Sequence, residues 1–348
     1  MNHSLVFTKQ IASDLSSHLA ALSPDRIFVL TDSHLNEIYN GFSSTLPFLN
    51  DATIITIPAD EANKNLQSLQ HIWTSLQTHK ATRHSVLINI GGGMITDIGG
   101  FAASTFKRGM RFLNIPTSLL AMVDASVGGK TGINFGGLKN EIGMFAEPEA
   151  VFIDTAWLKT LDRENRLSGY AEMLKHALIA EETMWAMLMI NNFDTFTIDT
   201  LADFLPENIG IKQTIVAQDP QEQGLRKALN FGHTFGHAFE AWALMHKPIL
   251  HGYAVAYGMV CELYLSVVKM GFPVLKMRQT VNYLKAHYGK LPITCDDYDT
   301  LIAFMHHDKK NDAHGINVTL LSDIGNLKIN QTIDETAIKE ALDFFRET

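Results

Sequence analysis

The chain has 348 residues, of which 46% are hydrophobic and 19% are charged, and its formal net charge is −9. This composition excludes a disordered or fibrous chain, and the length suits about two globular domains. The acidic balance argues against nucleic acid as the main partner, because an acidic surface repels phosphate backbones.

The sequence lacks the features of a secreted or membrane protein. Residues 1–15 have no apolar signal-peptide core, and no stretch of roughly 18 residues is both apolar and uncharged. The two cysteines, Cys261 and Cys295, form no C-x-x-C pair, and free thiols suit a reducing compartment. We therefore expect a cytoplasmic protein with no membrane partner.

The first half of the chain alternates predicted strands and helices. Apolar runs predict strands at residues 26–32, 52–57 and 85–90, and helical spacing predicts helices over 66–77 and 94–105. This alternation implies parallel strands joined by helical crossovers, which is an α/β architecture.

The pattern changes after about Phe152. Apolar residues then recur at helical spacing, as in Ala171, Leu174 and Leu178, and the next strand signal lies at residues 316–321. We predict an α/β domain over residues 1–155 and a mostly α-helical domain over residues 156–348.

Glycine is concentrated in one segment of the first domain. Twelve of the 24 glycines lie between Gly91 and Gly143, and Gly91-Gly-Gly-Met-Ile-Thr-Asp97 joins a strand to a helix. Such a turn suits a diphosphate, since free amides and the helix dipole favour an anion there. Asp97 would suit a ribose or nicotinamide hydrogen bond, and Asp32 would favour NAD over NADP. The alternative is a tight turn with no ligand.

A second glycine-rich segment carries basic and amide side chains. Lys130, Lys139 and Asn140 lie among small residues on what we expect to be a loop. This composition favours capture of phosphate or carboxylate. It is not a Walker A loop, because Ala125 stands where that motif needs glycine. A solvated surface loop is the alternative.

Histidines and a carboxylate suggest a metal site in the second domain. His233 and His237 are four residues apart, so they share one helix face, and spacing alone favours them as a ligand pair. Glu172 and His251 are further candidates, since imidazoles plus a carboxylate suit zinc. The pattern is not H-E-x-x-H, because Thr234 stands where the catalytic glutamate would be. Buried histidines with no ligand are the alternative.

Together these segments resemble the 3-dehydroquinate synthases of the sugar-phosphate cyclase family, over roughly residues 32–308. The resemblance depends on these motifs: Gly91-Gly-Gly-Met-Ile-Thr-Asp97, Phe106-Lys-Arg-Gly109, Pro116-Thr-Ser-Leu-Leu-Ala-Met-Val-Asp-Ala-Ser-Val-Gly-Gly-Lys-Thr-Gly132, Lys139-Asn140, Gly169-Tyr-Ala-Glu-Met-Leu-Lys175, Asn230-Phe-Gly-His-Thr-Phe-Gly-His237, His251-Gly252 and His307-Asp-Lys-Lys310.

The resemblance implies a fold and a reaction. The first domain would be Rossmann-like and the second α-helical, and the protein would be a homodimer. The family converts 3-deoxy-D-arabino-heptulosonate 7-phosphate to 3-dehydroquinate and phosphate, with NAD and a divalent metal, zinc or cobalt. This is a step of the shikimate route to chorismate and the aromatic amino acids.

The resemblance also implies roles for individual residues. Glu172, His233 and His251 would hold the metal, and His237 would contact the substrate instead. The substrate's hydroxyls and carboxylate would be bound by Lys130, Lys175, Lys212, Arg226 and Asn230. Its phosphate would be bound by Arg108, Lys139 and Asn140, with Lys309 or Lys310. The NAD site would be lined by Asp32, Glu61, Lys64, Gly93, Met94, Ile95, Thr96, Asp97, Thr117, Ser118, Asp124, Lys130, Lys139, Trp157, Leu158, Lys159 and Thr160.

Three other functions remain as alternatives at this point. Another sugar-phosphate cyclase would share NAD and metal but differ at substrate-contacting positions. A metal-dependent polyol dehydrogenase would share the two-domain plan but would not need Arg108, Lys139 and Asn140. A non-enzymatic protein that binds NAD or stores metal would show no turnover.

Overall fold

The computed structural model describes residues 4–39, 46, 49, 51–191, 193–195, 197–306 and 315–348, with only the backbone of Thr195. The chain divides into two compact units, Met1–Leu161 and Asp162–Thr348. This boundary lies slightly later in the chain than residue 155, which is the boundary that the sequence predicts.

The first unit is built on a parallel sheet. Its strands are β1 (Ser4–Phe7), β2 (Ile27–Asp32), β3 (Thr53–Ile57), β4 (Val86–Gly91), β5 (Arg111–Pro116) and β8 (Ala150–Ile153), and its helices are α1 (Ile11–Leu22), α2 (Ser33–Ile38), α3 (Leu66–Thr78) and α4 (Gly93–Thr105). The six strands run in the order β1-β8-β5-β4-β2-β3, and every pairing is parallel. The predicted α/β domain with a parallel sheet is therefore confirmed.

Burial explains why these segments form strands and helices. Every residue of β4 is buried, as expected for a continuous apolar run in a parallel sheet that is covered on both faces. Helix α3 buries Leu69, Ile72 and Leu76, which recur at helical spacing and belong to the core cluster of the unit. Asn65 caps this helix by accepting a hydrogen bond from the Ser68 amide at 3.0 Å.

The sheet order creates one crevice. Strand β2 pairs with β3 on one side and with β4 on the other, so the chain reverses its direction of travel across the sheet between β2 and β4. Ligands of doubly wound sheets bind beyond the carboxyl ends of the strands at such a switch point. Asp32 ends β2 and Gly91 ends β4, so both lie at this crevice.

The segment that we expected to be a glycine-rich loop is instead a β-hairpin. Strand β6 (Lys130–Phe135) pairs antiparallel with β7 (Leu138–Phe145). Gly136 and Gly137 connect the strands with φ of +61° and +82°, which is the backbone that a tight two-residue hairpin turn requires. Every residue of β7 is exposed, so the basic residues of this segment lie on a strand at the surface.

The second unit is mostly helical, as predicted. Its elements are α5 (Arg163–Ala180), α6 (Glu182–Ile190), α7 (Ile198–Gln218), α8 (His233–Leu244), α9 (His251–Met270), α10 (Val274–Tyr288), α11 (Tyr298–His306), β9 (Ile316–Asp323), β10 (Asn326–Ile333) and α12 (Glu335–Glu347). Helix α9 contacts α5, α8, α10, α12 and β9, so it forms the centre of the unit.

Helix α9 is also the one helix of the described chain that is long and apolar enough to span a membrane by length and composition. Its most apolar window is 67% buried inside the protein. Its composition is therefore accounted for by its central place in the helical unit, where it contacts α5, α8, α10, α12 and β9.

Candidate active site

The glycine turn of the first unit has the geometry of an anion site. Strand β4 ends at Gly91, and α4 begins two residues later at Gly93. A Cβ on Gly91 would lie 2.6 Å from the Ile95 side chain, so only glycine permits this tight connection. The first amides of a helix have no partner within the helix, and the helix dipole adds positive potential there. The turn can therefore bind a phosphate group.

A buried lysine connects residues that sequence analysis assigned to two different ligands. Lys64 is only 2% exposed, and its Nζ lies 2.5 Å from Asp97 Oδ2 and 3.8 Å from Glu61 Oε1. The same Nζ donates a hydrogen bond to Asn140 Oδ1 on the hairpin. Burial raises the pKa of Asp97, although the ion pair with Lys64 opposes this shift. Four of the predicted site residues are thus joined in one network.

Other predicted nucleotide-binding residues lie around the glycine turn. The Thr117 amide donates to the Gly91 carbonyl at 3.0 Å, and a Cβ on Gly92 would lie 3.5 Å from Ser118 Oγ. A Cβ on Gly93 would lie 3.1 Å from Ala125, next to Asp124. Asp32 caps α2 by accepting from the Leu35 amide at 2.9 Å.

The remaining predicted residues of the first unit lie further along the chain. Trp157 and Leu158 are buried, and Lys159 and Thr160 are exposed, on a 3₁₀ turn at Thr155–Thr160. Lys130 is exposed at the start of β6, Lys139 is exposed on β7, and Arg108 is exposed on a turn after α4 with φ of +65°. Met94 and Thr96 lie in the first turn of α4 with Ile95.

The second unit brings two imidazoles and a carboxylate together. Glu172 lies on α5, and His233 and His251 are the first residues of α8 and α9. Glu172 Oε1 lies 3.5 Å from His233 Nε2 and 3.6 Å from His251 Nε2. One ligand atom from each residue lies within 4.8 Å of the others, which is close enough for all three to hold one metal ion.

Glycines allow the three helices that carry these side chains to approach so closely. A Cβ on Gly252 of α9 would lie 1.9 Å from the Ser168 carbonyl of α5. A Cβ on Gly258 of α9 would lie 1.9 Å from the carbonyl of Gly232, which caps α8. Backbone therefore packs directly on backbone at both contacts, and the positions of the three donors depend on these contacts.

Both histidines present Nε2 to Glu172 because Nδ1 is engaged on the other side of each ring. His233 Nδ1 lies 3.1 Å from the Phe231 carbonyl, and His251 Nδ1 lies 3.3 Å from Glu240 Oε2. Partial burial lowers the pKa of His251, but Glu240 and Glu172 outweigh this effect and raise that pKa to about 10. The two rings are therefore oriented toward one point.

Two buried carboxylates next to this cluster carry no sequence motif that predicts them. Glu240 is 4% exposed and Glu262 is fully buried. Glu262 accepts hydrogen bonds from the Gly232 amide at 2.7 Å and the Thr234 amide at 3.3 Å, so it fixes the backbone on either side of His233. The sequence does contain one signal for such residues, which is a glutamate within an apolar helical stripe. A carboxylate is rarely buried without partners, so a glutamate at such a position indicates a specific contact.

Spacing alone favoured His233 and His237 as a ligand pair, whereas the structure gathers Glu172, His233 and His251. His237 is not part of the three-residue cluster, although its ring centroid lies 5.3 Å from that of His233 and 6.1 Å from that of His251. Two histidines on one helix face lie side by side, whereas the donors that converge come from three helices.

The other predicted substrate-binding residues of the second unit are cationic or amide side chains. Lys175 forms a buried ion pair with Glu172 Oε2. Lys212 is buried on α7, and Arg226 is buried with Nη1 donating to the Pro220 carbonyl at 2.6 Å. Asn230 donates to Glu222 Oε1 at 2.8 Å. Lys309 and Lys310 lie outside the described residues.

These features define a class of protein. A doubly wound sheet with a glycine turn can bind a nucleotide, and a His–His–Glu centre beside a buried lysine can hold a divalent cation. Such a pair of domains suits an enzyme that handles a charged small molecule.

Comparison with known proteins assigns the family within that class. The N-terminal model of 3-dehydroquinate synthase matches residues 54–168, and the C-terminal model matches residues 169–311. A 3-dehydroquinate synthase from Parabacteroides distasonis is 50% identical over 345 residues, which is 99% of this chain and 98% of the relative. The chain therefore belongs to the 3-dehydroquinate synthase family, as its sequence motifs indicate.

Solved structures of lower identity share the fold. A 2-epi-5-epi-valiolone synthase from Streptomyces hygroscopicus, with NAD+ and Zn²⁺ bound, has a TM-score of 0.87 at 24% identity, covering 100% of this chain and 97% of its own. A 2-deoxy-scyllo-inosose synthase complexed with carbaglucose-6-phosphate, NAD+ and Co²⁺ has a TM-score of 0.86 at 24% identity, covering 99% and 96%.

Proposed function

We propose that this chain catalyses the conversion of 3-deoxy-D-arabino-heptulosonate 7-phosphate to 3-dehydroquinate and phosphate, within the shikimate route to chorismate and the aromatic amino acids. The observation that carries the proposal is the Glu172–His233–His251 cluster, inside a chain 50% identical over nearly its full length to a 3-dehydroquinate synthase. The reaction is a carbon–oxygen lyase reaction, in which phosphate is eliminated and a ring closes without net oxidation.

We propose that Glu172, His233 and His251 hold zinc or cobalt. Two imidazole nitrogens and a carboxylate oxygen are a donor set that zinc accepts, and three protein ligands leave a position open for substrate. The atoms are already gathered, with 3.5 Å and 3.6 Å from Glu172 Oε1 to the two Nε2 atoms. Solved neighbours that carry Zn²⁺ or Co²⁺ support the same choice of metal.

NAD is the proposed second cofactor. The glycine turn and Asp32 lie at the switch point of the sheet, where a dinucleotide binds in doubly wound folds. Both solved neighbours named above contain NAD+. When bound, the cation would polarise the substrate hydroxyl that is oxidised, and NAD would carry the hydride between the oxidation and the later reduction.

The protein's own side chains would bind and orient an anionic substrate. Lys175, Lys212 and Arg226 are buried cations, which suit the substrate's carboxylate and hydroxyls together with Asn230 and His237. Lys175 also pairs with Glu172, so it fixes the orientation of that carboxylate. In an acidic protein, such local concentration of positive charge is what attracts an anion to one site.

The phosphate of the substrate has its own proposed set. Arg108, Lys139 and Asn140 carry donors for phosphate oxygens, and Lys309 is proposed to add another. Asn140 has φ of +51° and its amide donates to Asn134 Oδ1 at 2.9 Å, so its backbone is held in a defined conformation. Binding and positioning, rather than a strong protein base, would supply much of the rate.

A phosphate-release assay tests the proposed function. The purified chain, freed of metal with EDTA, is given the heptulosonate phosphate with and without NAD and zinc. We expect release only when both are added, without accumulation of NADH. Glu172→Gln should abolish the zinc-dependent rate, whereas Glu164→Gln, an exposed position on the same helix, should not. No release from the wild-type chain, or stoichiometric NADH formation, would contradict the proposal.

We also propose that the chain is a homodimer of the cytoplasm. The hairpin exposes the apolar side chains Phe135, Leu138, Ile142, Met144 and Phe145, each between 39% and 51%. Apolar surface on an edge strand is typical of an interface, and a second copy would cover it. Sedimentation of the wild-type chain should give a dimer, and Ile142→Lys should shift it toward monomer. Cys261 and Cys295 form no disulfide, which fits a reducing compartment such as the cytoplasm.

A further inference from the structure

We propose that Glu240 is a positioning residue that orients His251 as a metal ligand. The inference rests on the proposed metal centre and adds a residue that donates nothing to the metal itself. Glu240 lies on α8, seven residues after His233 and thus on the same face, while His251 begins α9. Helix α8 would therefore supply one metal ligand, His233, and would also orient a second ligand, His251, at the start of α9.

The contact between the two side chains is specific. Glu240 Oε2 lies 3.3 Å from His251 Nδ1, and His251 Nε2 lies 3.6 Å from Glu172 Oε1. The carboxylate thus touches one edge of the ring while the opposite nitrogen faces the other donors. Glu240 is only 4% exposed, so its contact with the ring is shielded from bulk water.

A carboxylate is well suited to this task. An ionised carboxylate only accepts hydrogen bonds, so a neutral imidazole that contacts it must carry its proton on Nδ1. The lone pair is then on Nε2, which is the atom that faces Glu172. A neutral His233 would carry its proton on Nδ1 in the same way, because the Phe231 carbonyl also only accepts. Histidine ligands of metals generally donate their second ring N–H to such an acceptor.

Burial of a charge implies a function for it beyond packing. An unpaired carboxylate is costly to bury, and an apolar side chain of similar size would fill the same space without that cost. The neighbouring residues Phe239 and Trp242 pack in the helical core, which shows that this part of α8 accepts apolar side chains. The contact with His251 accounts for the carboxylate at position 240.

The test compares zinc affinity in purified full-length variants by competition with a chromophoric chelator. We expect Glu240→Ala to raise the zinc Kd by about 100-fold and Glu240→Gln by about tenfold, because the amide lacks charge and can also donate to Nδ1. The visible absorption of the Co²⁺-loaded protein should change in both variants. Asp297→Ala is the control: it removes the 2.8 Å contact to Trp242 on the same helix without touching His251.

The outcomes separate this inference from the proposed function. Zinc affinity and Co²⁺ spectra within about twofold of wild type in folded Glu240→Gln and Glu240→Ala would overturn it, on the usual scale of such effects. If circular dichroism shows that the alanine variant is unfolded, the glutamine variant decides. If the Glu172→Gln variant binds zinc as tightly as the wild-type chain, that result would overturn the proposed metal centre and this role of Glu240 together.

Discussion

The close contact between α8 and α9 gives the most quantitative prediction of the structure. Gly258 lies where the two helices meet, and a Cβ there would be 1.9 Å from the Gly232 carbonyl oxygen and 2.7 Å from the Gly236 amide nitrogen. Both are backbone atoms, which cannot rotate away as a side chain would. Gly258→Ala must therefore push the helices apart by at least about 1 Å, since tightly packed interiors hold few voids to absorb the methyl group.

The energetic cost follows from two opposing effects. Overpacking of a close-packed core costs about 3 kcal/mol when the backbone has to shift. Alanine in place of glycine within a helix recovers about 1 kcal/mol through propensity. We therefore expect a net loss of about 2 kcal/mol, which lowers Tm by about 4–8 °C in a unit of this size. Because His233 and His251 begin the two displaced helices, zinc affinity should also fall.

A second glycine provides the matched control. Gly210 lies inside α7, and a Cβ there would meet no atom within 4 Å. Gly210→Ala should raise stability by about 1 kcal/mol, so the same chemical change has the opposite sign. Thermal unfolding followed by circular dichroism, with and without zinc, measures both. A Gly258→Ala protein as stable as wild type, with unchanged zinc affinity, would refute the packing argument.

Three further predictions concern other parts of the chain. Lys139→Ala should raise KM for the heptulosonate phosphate by about tenfold with little change in kcat, because a charge-assisted hydrogen bond to phosphate is lost; an unchanged KM would remove Lys139 from the site. Lys64→Ala should lower the free energy of unfolding by about 3 kcal/mol and weaken NAD binding, because the buried Asp97 carboxylate loses its ion partner; calorimetry measures both. Hydrogen bonds from Thr82 and Ser85 lower the pKa of Asp25 below 3.8, so its stabilising effect is present above that pH and lost as the pH falls through the lowered value. The Tm difference between wild type and Asp25→Asn should therefore shrink below about pH 4, and a difference independent of pH would contradict it.

The spacing of apolar residues predicted those strands and helices whose pattern is complete within one element. Strands β2 and β4 and helix α3 were found within a residue or so of their bounds, because their apolar patterns are contained in a single element. The hairpin of β6 and β7 was missed, because its glycines suggested a loop. The Gly136-Gly137 pair is a strong signal for a two-residue turn, so the information was present in the sequence.

The metal centre shows where a sequence pattern reaches its limit. Spacing along one helix identified His233 and His237, since a helix repeats every 3.6 residues. The donor that joins His233 and Glu172 is His251, from another helix, and its position depends on tertiary packing. Residue types gave His251 only as a further candidate, and the resemblance to a family singled it out as a ligand in place of His237. Packing through Gly252 and Gly258 is equally invisible to any pattern of polar residues.

Charge explains why buried carboxylates gather around this centre. Both histidines lie at helix N-termini, where the helix dipole adds positive potential and so weakens the binding of a cation. Glu172 and Glu240 contact these histidines, Glu262 accepts from the backbone beside His233, and Lys175 pairs with Glu172. Carboxylates at these positions would offset the two helix dipoles in the presence of a divalent cation. Leucine at position 240 would remove the acceptor that His251 Nδ1 contacts, and leucine at position 262 would remove the carboxylate that the Gly232 and Thr234 amides donate to.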